Sequence, residues 1–505
     1  MPDFTTLEKT NGESLRPQDW SLSVRKTCQP GDMNEYLEGW RAFFDHYAQI
    51  SDEWHRRNAG YHQSIAHLMK HYVPDGSRVL EIGCATGDLL AAVRPAVGVG
   101  IDISAEMVRI ASSKHPDLQF QQMSAEELEL GDCKFDYIIL SDIVGFFFDI
   151  KYVFQQLRHY CHPGTRIVIN WYSRLWQPLL TLVEKLGLKY PQPLLNWTTS
   201  EDIANLLNLA SFEVIYHRTF ILLPKRFPLL TRFANRYLAQ LPGFRSLCLT
   251  NWIVARPFAL EPPAPPPTVS VICACRNEEG NIEQIARRVP EMGGGTELIF
   301  VEGHSHDNTL AECKRMQTLL PERNINVFVQ QGHGKGDAVR RGFAQAKGDI
   351  LMIIDADVSV VPEDLPQFYE ALVNRRGEFI NGSRLVYLMD PKAMRFLNLL
   401  GNKFFALLLS RLLGQRVKDT LCGTKAMWRR DYEQLAARRS YFGEFDPFGD
   451  FDLLFGAAKL NLKIVEVPIR YRERVYGSTN ISRFSDGFLL LRMCRVAAAK
   501  LFFLG

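Results

Sequence analysis

Short apolar runs recur along this chain, and most lead through a Gly- or Asp-bearing turn into a stretch with helical spacing of apolar residues. In the first half RVLEI (78–82), VGVGID (97–102) and FDYIILS (135–141) are such runs; in the second, VSVICAC (269–275), ELIFV (297–301) and ILMIID (350–355) are. Apolar strands alternating with helices predict parallel-sheet α/β units. The alternation breaks once, at ARPFALEPPAPPPT (255–268), whose six prolines fix φ and remove backbone donors. Such a stretch predicts a semi-rigid extended spacer. The pattern therefore gives two α/β domains joined by a Pro-rich linker. No internal repeat relates the halves.

Two segments depart from this pattern. PKAMRFLNLLGNKFFALLLSRLLGQRVK (391–418) and GFLLLRMCRVAAAKLFFLG (487–505) are apolar but interspersed with Lys and Arg. Apolar faces edged by cations suit helices lying in an anionic membrane interface. No uncharged run approaches the roughly 18–20 residues that a membrane span needs.

The 505 residues, 46% hydrophobic and 23% charged, lie in the ordinary globular range. A net charge of +3 is too small to imply a polyanionic partner such as nucleic acid, but 391–439 carry 11 Lys/Arg against Asp419, Asp431 and Glu433. Ten scattered cysteines without a CxxC pair predict reduced thiols. A polar N-terminus without a signal-peptide pattern adds the expectation of a cytoplasmic protein, peripheral at the cytoplasmic face of a membrane.

SRVLEIGCATGDLLAAV (77–93) reads as strand, Gly-containing turn and helix, in which Gly83 and Gly87 permit close backbone approach to a ligand. Twenty-one residues beyond Glu81, VGVGIDIS ends a second strand at Asp102, whose carboxylate can accept both hydroxyls of a ribose. A lone Gly-rich turn would suit NAD equally. The order LEIGCATG, GIDIS, SAEEL (124–128), FDYIILSD (135–142) resembles class I S-adenosylmethionine-dependent methyltransferases, across about residues 40–255. The resemblance implies a Rossmann-like methyltransferase fold. It sets Glu81, Gly83 and Gly87 around the amino-acid part of S-adenosylmethionine, Asp102 on its ribose, and Ser124, Ala125 and Glu126 beside the adenine. Ala85 stands where many members have a glycine, and Ser124 where an Asp often contacts adenine. Asp142 is a candidate strand-end catalytic residue or contact to substrate, and WYSRLWQPLL and PLLNWTTSEDIANLL are expected to line the substrate pocket.

In the second half, TVSVICACRNEEGNI, ELIFVEGHSHDNTLAECKRM and GHGKGDAVRRGFAQAKGD lead to ILMIIDADVSV. Asp355 and Asp357, one residue apart at a strand end, can bind a hard divalent cation such as Mg or Mn bridging two phosphates. In this order the segments resemble family-2 glycosyltransferases of GT-A fold, over 268–485, and among them dolichyl-phosphate mannose synthases and related polyprenyl-phosphate sugar transferases. The resemblance implies that Ala274, Arg276, Glu278, Glu302, Lys335, Asp337 and Asp355 bind the nucleotide-sugar, GDP- or UDP-linked. It makes Asp355 and Asp357 the metal site and gives Asp357, Asp450, Asp452 and Arg474 catalytic places, with Tyr476 and Gly477 beside Arg474. Ala274 replaces a frequent Pro, and Thr479-Asn480 a frequent Ser-Lys.

VEGHSHDNT (301–309) holds His304, His306, Asp307 and Glu302, the ligand types of zinc. The resemblance instead makes it a nucleotide loop in which Glu302 contacts the donor and Asp307 caps the following helix. The expected boundaries are 1–39 for an N-terminal extension, 40–255 for the methyltransferase domain, 256–267 for the linker, 268–485 for the GT-A domain and 486–505 for an amphipathic helix. The resulting expectation is a bifunctional enzyme. It would transfer a sugar, with inversion and a metal, from a nucleotide-sugar to a lipid-phosphate or other membrane-associated acceptor, and methylate an unknown substrate. A glycosyltransferase for a soluble or glycan acceptor, regulated by its first domain, is the alternative.

Overall fold

A computed structural model describes residues 7–8, 14–15, 33–186, 190, 195–225, 227, 229–258, 262–385, 396–441, 449–470 and 483–503, with the side chains of 396–400 and 483–487 outside that description. The chain forms two compact units, Met1–Phe258 and Ala259–Phe502.

The first unit opens with three helices, α1 (Met33–Ala48), α2 (Ser51–Arg57) and α3 (Ala59–Tyr72). Then follow β1 (Arg78–Ile82), α4 (Asp88–Ala92), β2 (Val97–Asp102), α5 (Ala105–Lys114), β3 (Gln119–Gln122), β4 (Phe135–Ser141) and α6 (Ile150–Leu157). The unit ends with β5 (Cys161–Tyr172), α7 (Gln177–Lys185), α8 (Ser200–Leu209), β6 (Phe212–Phe220), α9 (Leu230–Arg236) and β7 (Thr250–Pro257). Its seven strands run in the order β3-β2-β1-β4-β5-β7-β6. The first five are parallel, and β7 lies antiparallel to both β5 and β6.

The alternation of side chains along each strand explains why the runs are apolar throughout. Leu80, Ile138 and Leu140 pack with Phe154 and Leu207 on one face, while Val79, Ile139 and Val168 pack with Leu68, Met69 and Trp252 on the other. A sheet covered on both faces has no polar side. Helix α3 meets it with Tyr61, Ile65, Leu68, Met69 and Tyr72, one stripe at helical spacing. Each fully buried side chain of this kind is worth about 1.5–3 kcal/mol.

The second unit contains β8 (Val269–Cys275), α10 (Glu279–Arg288), β9 (Thr296–Glu302), α11 (Thr309–Leu319), β10 (Asn324–Val329), α12 (Lys335–Gln345) and β11 (Ile350–Asp355). It continues with α13 (Leu365–Val373), β12 (Phe379–Ser383), α14 (Phe396–Leu413), β13 (Lys425–Trp428), α15 (Arg429–Ala437), α16 (Asp450–Lys459), β14 (Ile464–Pro468) and α17 (Arg483–Ala497). The sheet order is β10-β9-β8-β11-β13-β12-β14. Strands β10, β9, β8 and β11 are parallel, and β13 is antiparallel to both its neighbours. Reversal of strand order opens a crevice at the carboxyl ends of β1 and β4 in the first sheet, and of β8 and β11 in the second.

Helices α14 and α17 bury one side each and leave Phe404, Leu407, Phe488 and Leu491 exposed beside exposed Lys403, Arg411, Arg492 and Arg495. No helix among the described residues is long and apolar enough to cross a membrane.

Candidate functional sites

In the first unit the chain leaves β1 through Gly83, at φ +72°, and closes a turn at Gly87, at φ +76°. A Cβ on Gly87 would come within 2.6 Å of the Phe120 ring, and one on Gly83 within 2.7 Å of Ile143. These positions need glycine for both conformation and space. The helix that follows, α4, has only five residues, so the turn's backbone rather than a helix dipole forms the cradle.

Asp102 ends β2, 8% exposed. Its Oδ2 accepts from the Ala85 amide at 2.9 Å and its Oδ1 from the Ser104 amide at 3.0 Å. Ala85, at φ +46°, aims its N–H at this carboxylate without being glycine. Burial pushes the Asp102 carboxyl up to about 6; the two amides pull the other way but do not cancel it.

A cavity of about 310 Å³ opens beside these groups. Gly83, Asp102, Ser124, Ala125 and Glu126 line it, whereas Glu81 and Gly87 do not. Glu81 sits 2% exposed within β1, where burial raises its pKa well above the carboxylate range. Among the described residues the buried Glu81 Oε2 and Ser124 Oγ have no hydrogen-bond partner. Glu126 accepts from the Phe148 amide at 2.9 Å. A polar atom left unpaired in a cavity wall, next to a carboxylate and a glycine turn, fits the polar face of a nucleoside cofactor.

Much of the remaining lining is aromatic. Trp40, Phe43, Phe44 and Tyr47 come from α1, Trp54 from α2, Tyr61 and His62 from α3, and Tyr172 from β5. Asp142, directly after β4, also faces this space at φ +55°. Its Oδ2 accepts from Tyr61 Oη at 2.7 Å and its Oδ1 from Asn170 Nδ2 at 2.9 Å. Of the two segments expected to line a substrate pocket, the first contributes Tyr172 and Leu180, and the described residues of the second contribute nothing to the lining. The α1 wall was legible only as aromatic residues at helical spacing.

In the second unit, register puts Ala274 beside Asp355, and Cys275 beside Glu302, at the carboxyl ends of three parallel strands. Lys335, the first residue of α12, extends its Nζ to 2.6 Å from Asp355 Oδ1 and 3.7 Å from Asp450 Oδ2. Lys425 of β13 stands 3.3 Å from Asp450 Oδ1. Two ammonium groups and two carboxylates thus alternate at the crevice. Burial opposes the Lys335 charge, but Asp355 and Asp450 outweigh it and hold its pKa above the lysine range. Burial likewise opposes the Asp355 charge, but Lys335 outweighs it and holds that pKa below the carboxylate range.

The loops around this cluster are tight. A Cβ on Gly423 would strike the Asp355 carboxylate and the Lys335 ammonium, and one on Gly449 would lie 2.7 Å from Gly336 Cα. The N-termini of α12 and α16 therefore abut. Asp357 accepts from the Ser359 amide at 3.0 Å and hydroxyl at 2.7 Å. Between them Val358 is held at φ +53°, an outlier for a β-branched residue that stores about 1–3 kcal/mol of strain.

Glu302, 3% exposed, accepts from the Ser305 amide, and Glu278 from Asn281 Nδ2 at 2.7 Å. Asn277 bridges the two loops, donating to Ser305 Oγ at 3.0 Å and accepting from the His306 amide at 2.8 Å. Arg276, His304 and His306 are exposed; Asp337 closes its own loop on the Gly332 amide at 2.8 Å. Asp307 accepts from the Thr309 amide at 3.1 Å at the start of α11. Asp452 lies apart from the cluster, paired to Arg439 at 2.8 Å. Arg474, Tyr476 and Gly477 lie outside the described residues.

Two neighbours carry no prior assignment. Lys425 is one, and the bidentate pair of Arg384 with fully buried Asp419, at 2.7 and 2.8 Å, is the other. Among the described residues no group of three or more His, Cys, Asp or Glu side chains is gathered as for a metal. Asp357 and Asp355 nevertheless supply the hard oxygen donors that Mg or Mn takes when substrate phosphates complete the shell.

Fold and site together define a chain of two group-transfer domains. Residues 54–217 match the family model described as a methyltransferase domain, and 270–436 match that of glycosyl transferase family 2. The chain carries a methyltransferase domain, on a mostly parallel Rossmann-like sheet, followed by a family-2 glycosyltransferase domain. Its relatives include a dolichol-phosphate mannosyltransferase of Pyrococcus furiosus, 28% identical over 219 residues, which are 42% of this chain and 59% of that one. An undecaprenyl-phosphate 4-deoxy-4-formamido-L-arabinose transferase of Pseudomonas aeruginosa is 26% identical over 224 residues, 44% of this chain and 62% of that one. The chain thus spans about three-fifths of the length of these two relatives. A solved S-adenosylmethionine-dependent methyltransferase from Mesorhizobium loti is 17% identical, with a TM-score of 0.30, over 38% of this chain and 95% of that one.

Proposed function

We propose that the second domain transfers a sugar, with inversion, from a GDP- or UDP-linked donor to a polyprenyl-phosphate-type or other membrane-associated acceptor, and that the first methylates a small substrate from S-adenosylmethionine. The observation that carries the transferase reading is the alternation of Lys335, Asp355, Asp450 and Lys425 at the carboxyl ends of the parallel strands. It would set two ammonium groups beside a leaving diphosphate while keeping carboxylates for ribose and acceptor.

Asp357, with Asp355, would hold Mg or Mn, which when bound neutralises charge growing on the diphosphate. Ala274, Arg276, Glu278, Glu302 and Asp337 would enclose the nucleoside, and Asp355 its ribose. Lys335 and Lys425 would face the phosphates. Attack from the side opposite the leaving group inverts the anomeric carbon in a single displacement. A phosphate acceptor is already anionic at neutral pH and needs no base; a hydroxyl acceptor would use Asp450, a carboxylate of the cluster itself. Asp452, bound to Arg439, serves the packing of α16. Arg474 would clamp the diphosphate. The relatives' names supply the lipid-phosphate class of acceptor. Exposed Phe404, Leu407, Phe488 and Leu491 among cations support peripheral contact with an anionic, cytoplasmic membrane face.

In the first domain, Asp102 would hold the ribose, Ser124, Ala125 and Glu126 the adenine side, and Gly83 and Gly87 the turn around the amino-acid part, with Glu81 beneath it.

The test is incubation of the full chain with labelled GDP- and UDP-sugars and membranes, followed by organic extraction. Label should enter the organic phase, and Asp357→Ala should abolish that transfer. Unchanged transfer by Asp357→Ala overturns the metal assignment, and label confined to water-soluble glycans overturns the lipid acceptor.

A further inference from the structure

We infer that the cavity of the first unit takes an amine on an apolar body, with the amine nitrogen as methyl acceptor and Asp142 as its counter-charge. The inference rests on the methyltransferase reading and deepens it.

Position comes first. Gly83 follows β1 and Asp142 follows β4, adjacent parallel strands in register from Val79–Tyr137 to Ile82–Leu140. Both residues line the cavity. The carboxylate therefore stands next to the turn assigned to the amino-acid end of the cofactor, which is where the reactive methyl is attached.

The charge of the cavity points the same way. Among the described residues its acidic side chains are Asp102, Glu126 and Asp142, and its only Lys or Arg is Lys225, whose Nζ donates to Asn58 Oδ1 at 2.9 Å. Tyr61 Oη and Asn170 Nδ2 hold Asp142 in place at 2.7 and 2.9 Å. These two contacts, from a phenol and a carboxamide, orient the carboxylate toward the cavity. The backbone at φ +55° is a further cost accepted to aim this side chain inward.

Aromatic faces complete the description. Tyr172 lies 5.6 Å from Tyr61, and Tyr190 lies 5.2 Å from Tyr47 and 5.9 Å from Trp54, centroid to centroid. Such faces attract cations. They also give an apolar body its burial. A carboxylate acceptor would be repelled by Asp142. An alcohol would need a strong base, but burial lowers His62 to about 4, and burial first, with Asp142, keeps the Tyr61 phenol protonated.

The chemistry balances with these groups. An alkylammonium passes one proton to Asp142, and its freed lone pair forms the N–C bond to the methyl. The S–C bond breaks with its electron pair going to sulfur, so the positive charge moves from sulfur to nitrogen. The aromatic walls face a cation before and after the step.

The test uses the full chain saturated with S-adenosylhomocysteine, titrated with 2-phenylethylamine, 2-phenylethanol and 3-phenylpropanoate and followed by tryptophan fluorescence, since Trp40 and Trp54 line the cavity. The amine should bind at least tenfold tighter than the alcohol or the acid. Asp142→Asn, a near-isostere that tolerates positive φ, should erase that preference and leave S-adenosylhomocysteine affinity unchanged; Tyr61→Phe should reduce the preference by less. Equal binding of alcohol and amine by the wild-type chain overturns the inference, without recourse to any variant. So does an Asp142→Asn variant that keeps the amine preference but binds S-adenosylmethionine tenfold more weakly, because Asp142 would then pair with the cofactor's own ammonium. If S-adenosylhomocysteine itself gives no heat on calorimetric titration, the methyltransferase reading falls as well, which separates the two failures.

Discussion

Lowering pH from 7 to 5 should weaken S-adenosylmethionine binding about tenfold, through one carboxyl group. Asp102 must be ionised to accept both ribose hydroxyls, and burial has moved its pKa up to about 6. If only the ionised form binds, the apparent Kd scales with 1 + 10^(6 − pH), which is about 1.1 at pH 7 and about 11 at pH 5. That ratio corresponds to about 1.4 kcal/mol. The effect is distinguishable from acid unfolding by its sign. A carboxyl whose folded pKa lies above its ordinary 3.8 binds protons more tightly when folded. As pH falls through 6 toward 4, Asp102 therefore adds to stability rather than removing it. Calorimetric titrations at half-unit steps, with a thermal melt at each pH, should show affinity falling while Asp102 contributes no loss of melting temperature. Asp102→Asn should be weak throughout and flat across this window. A flat wild-type profile, or an Asn variant with the wild-type slope, would refute the assignment of Asp102 to the ribose.

Three other perturbations address packing, charge and surface. Gly87→Ala forces a Cβ to 2.6 Å from Phe120 at φ +76° and should cost about 2–5 kcal/mol, read by chemical denaturation; a cost below 1 kcal/mol would mean the turn relaxes freely. Lys335→Met leaves Asp355 without its closest cation; breaking a buried pair costs about 3–5 kcal/mol, reduced to about 2–3 here because the side chains are 27% and 30% exposed. Since the Asp355 pKa is depressed, the wild-type advantage should be full above the ordinary 3.8 and vanish as pH falls through the folded value; an advantage that persists in acid denies the pairing. Replacing exposed Phe488 and Leu491 together by Glu should release the chain from anionic vesicles in a flotation assay, and undiminished binding would remove α17 from the proposed membrane contact.

Much of the fold was legible because its strands are buried on both faces, so that RVLEI and ILMIID declare themselves by composition alone. What escaped was whatever depends on contacts far apart in sequence. No local pattern puts antiparallel β7 between β5 and β6, or joins Tyr61 to Asp142 across 81 residues. Asp450 and Asp452 are equivalent in the sequence, yet helix geometry sends one to the lysine cluster and the other to Arg439. Motif matching could name Lys335 and Asp355, but not that each holds the other's charge. The stretches INGSRLV (380–386) and KDTLCGTKAMW (418–428) contain Arg384, Asp419 and Lys425 without announcing their partners, because a pair is visible only once the chain has folded.

The division of the first unit's cavity has a consequence for how such a chain can change. Strand ends and turns supply the wall holding Gly83, Asp102 and Ser124, whereas α1 and α2, which precede the sheet, supply Trp40, Phe43, Tyr47 and Trp54. A fragment excised at Ala59 would keep all seven strands and lose both tryptophans of the aromatic wall, with Phe43, Phe44 and Tyr47. Selection acting on residues 33–57 could therefore redraw which molecule is accepted while the strand-borne half of the pocket stays fixed. Substrate preference in this architecture can diverge as an upstream cassette, independently of the sheet it serves.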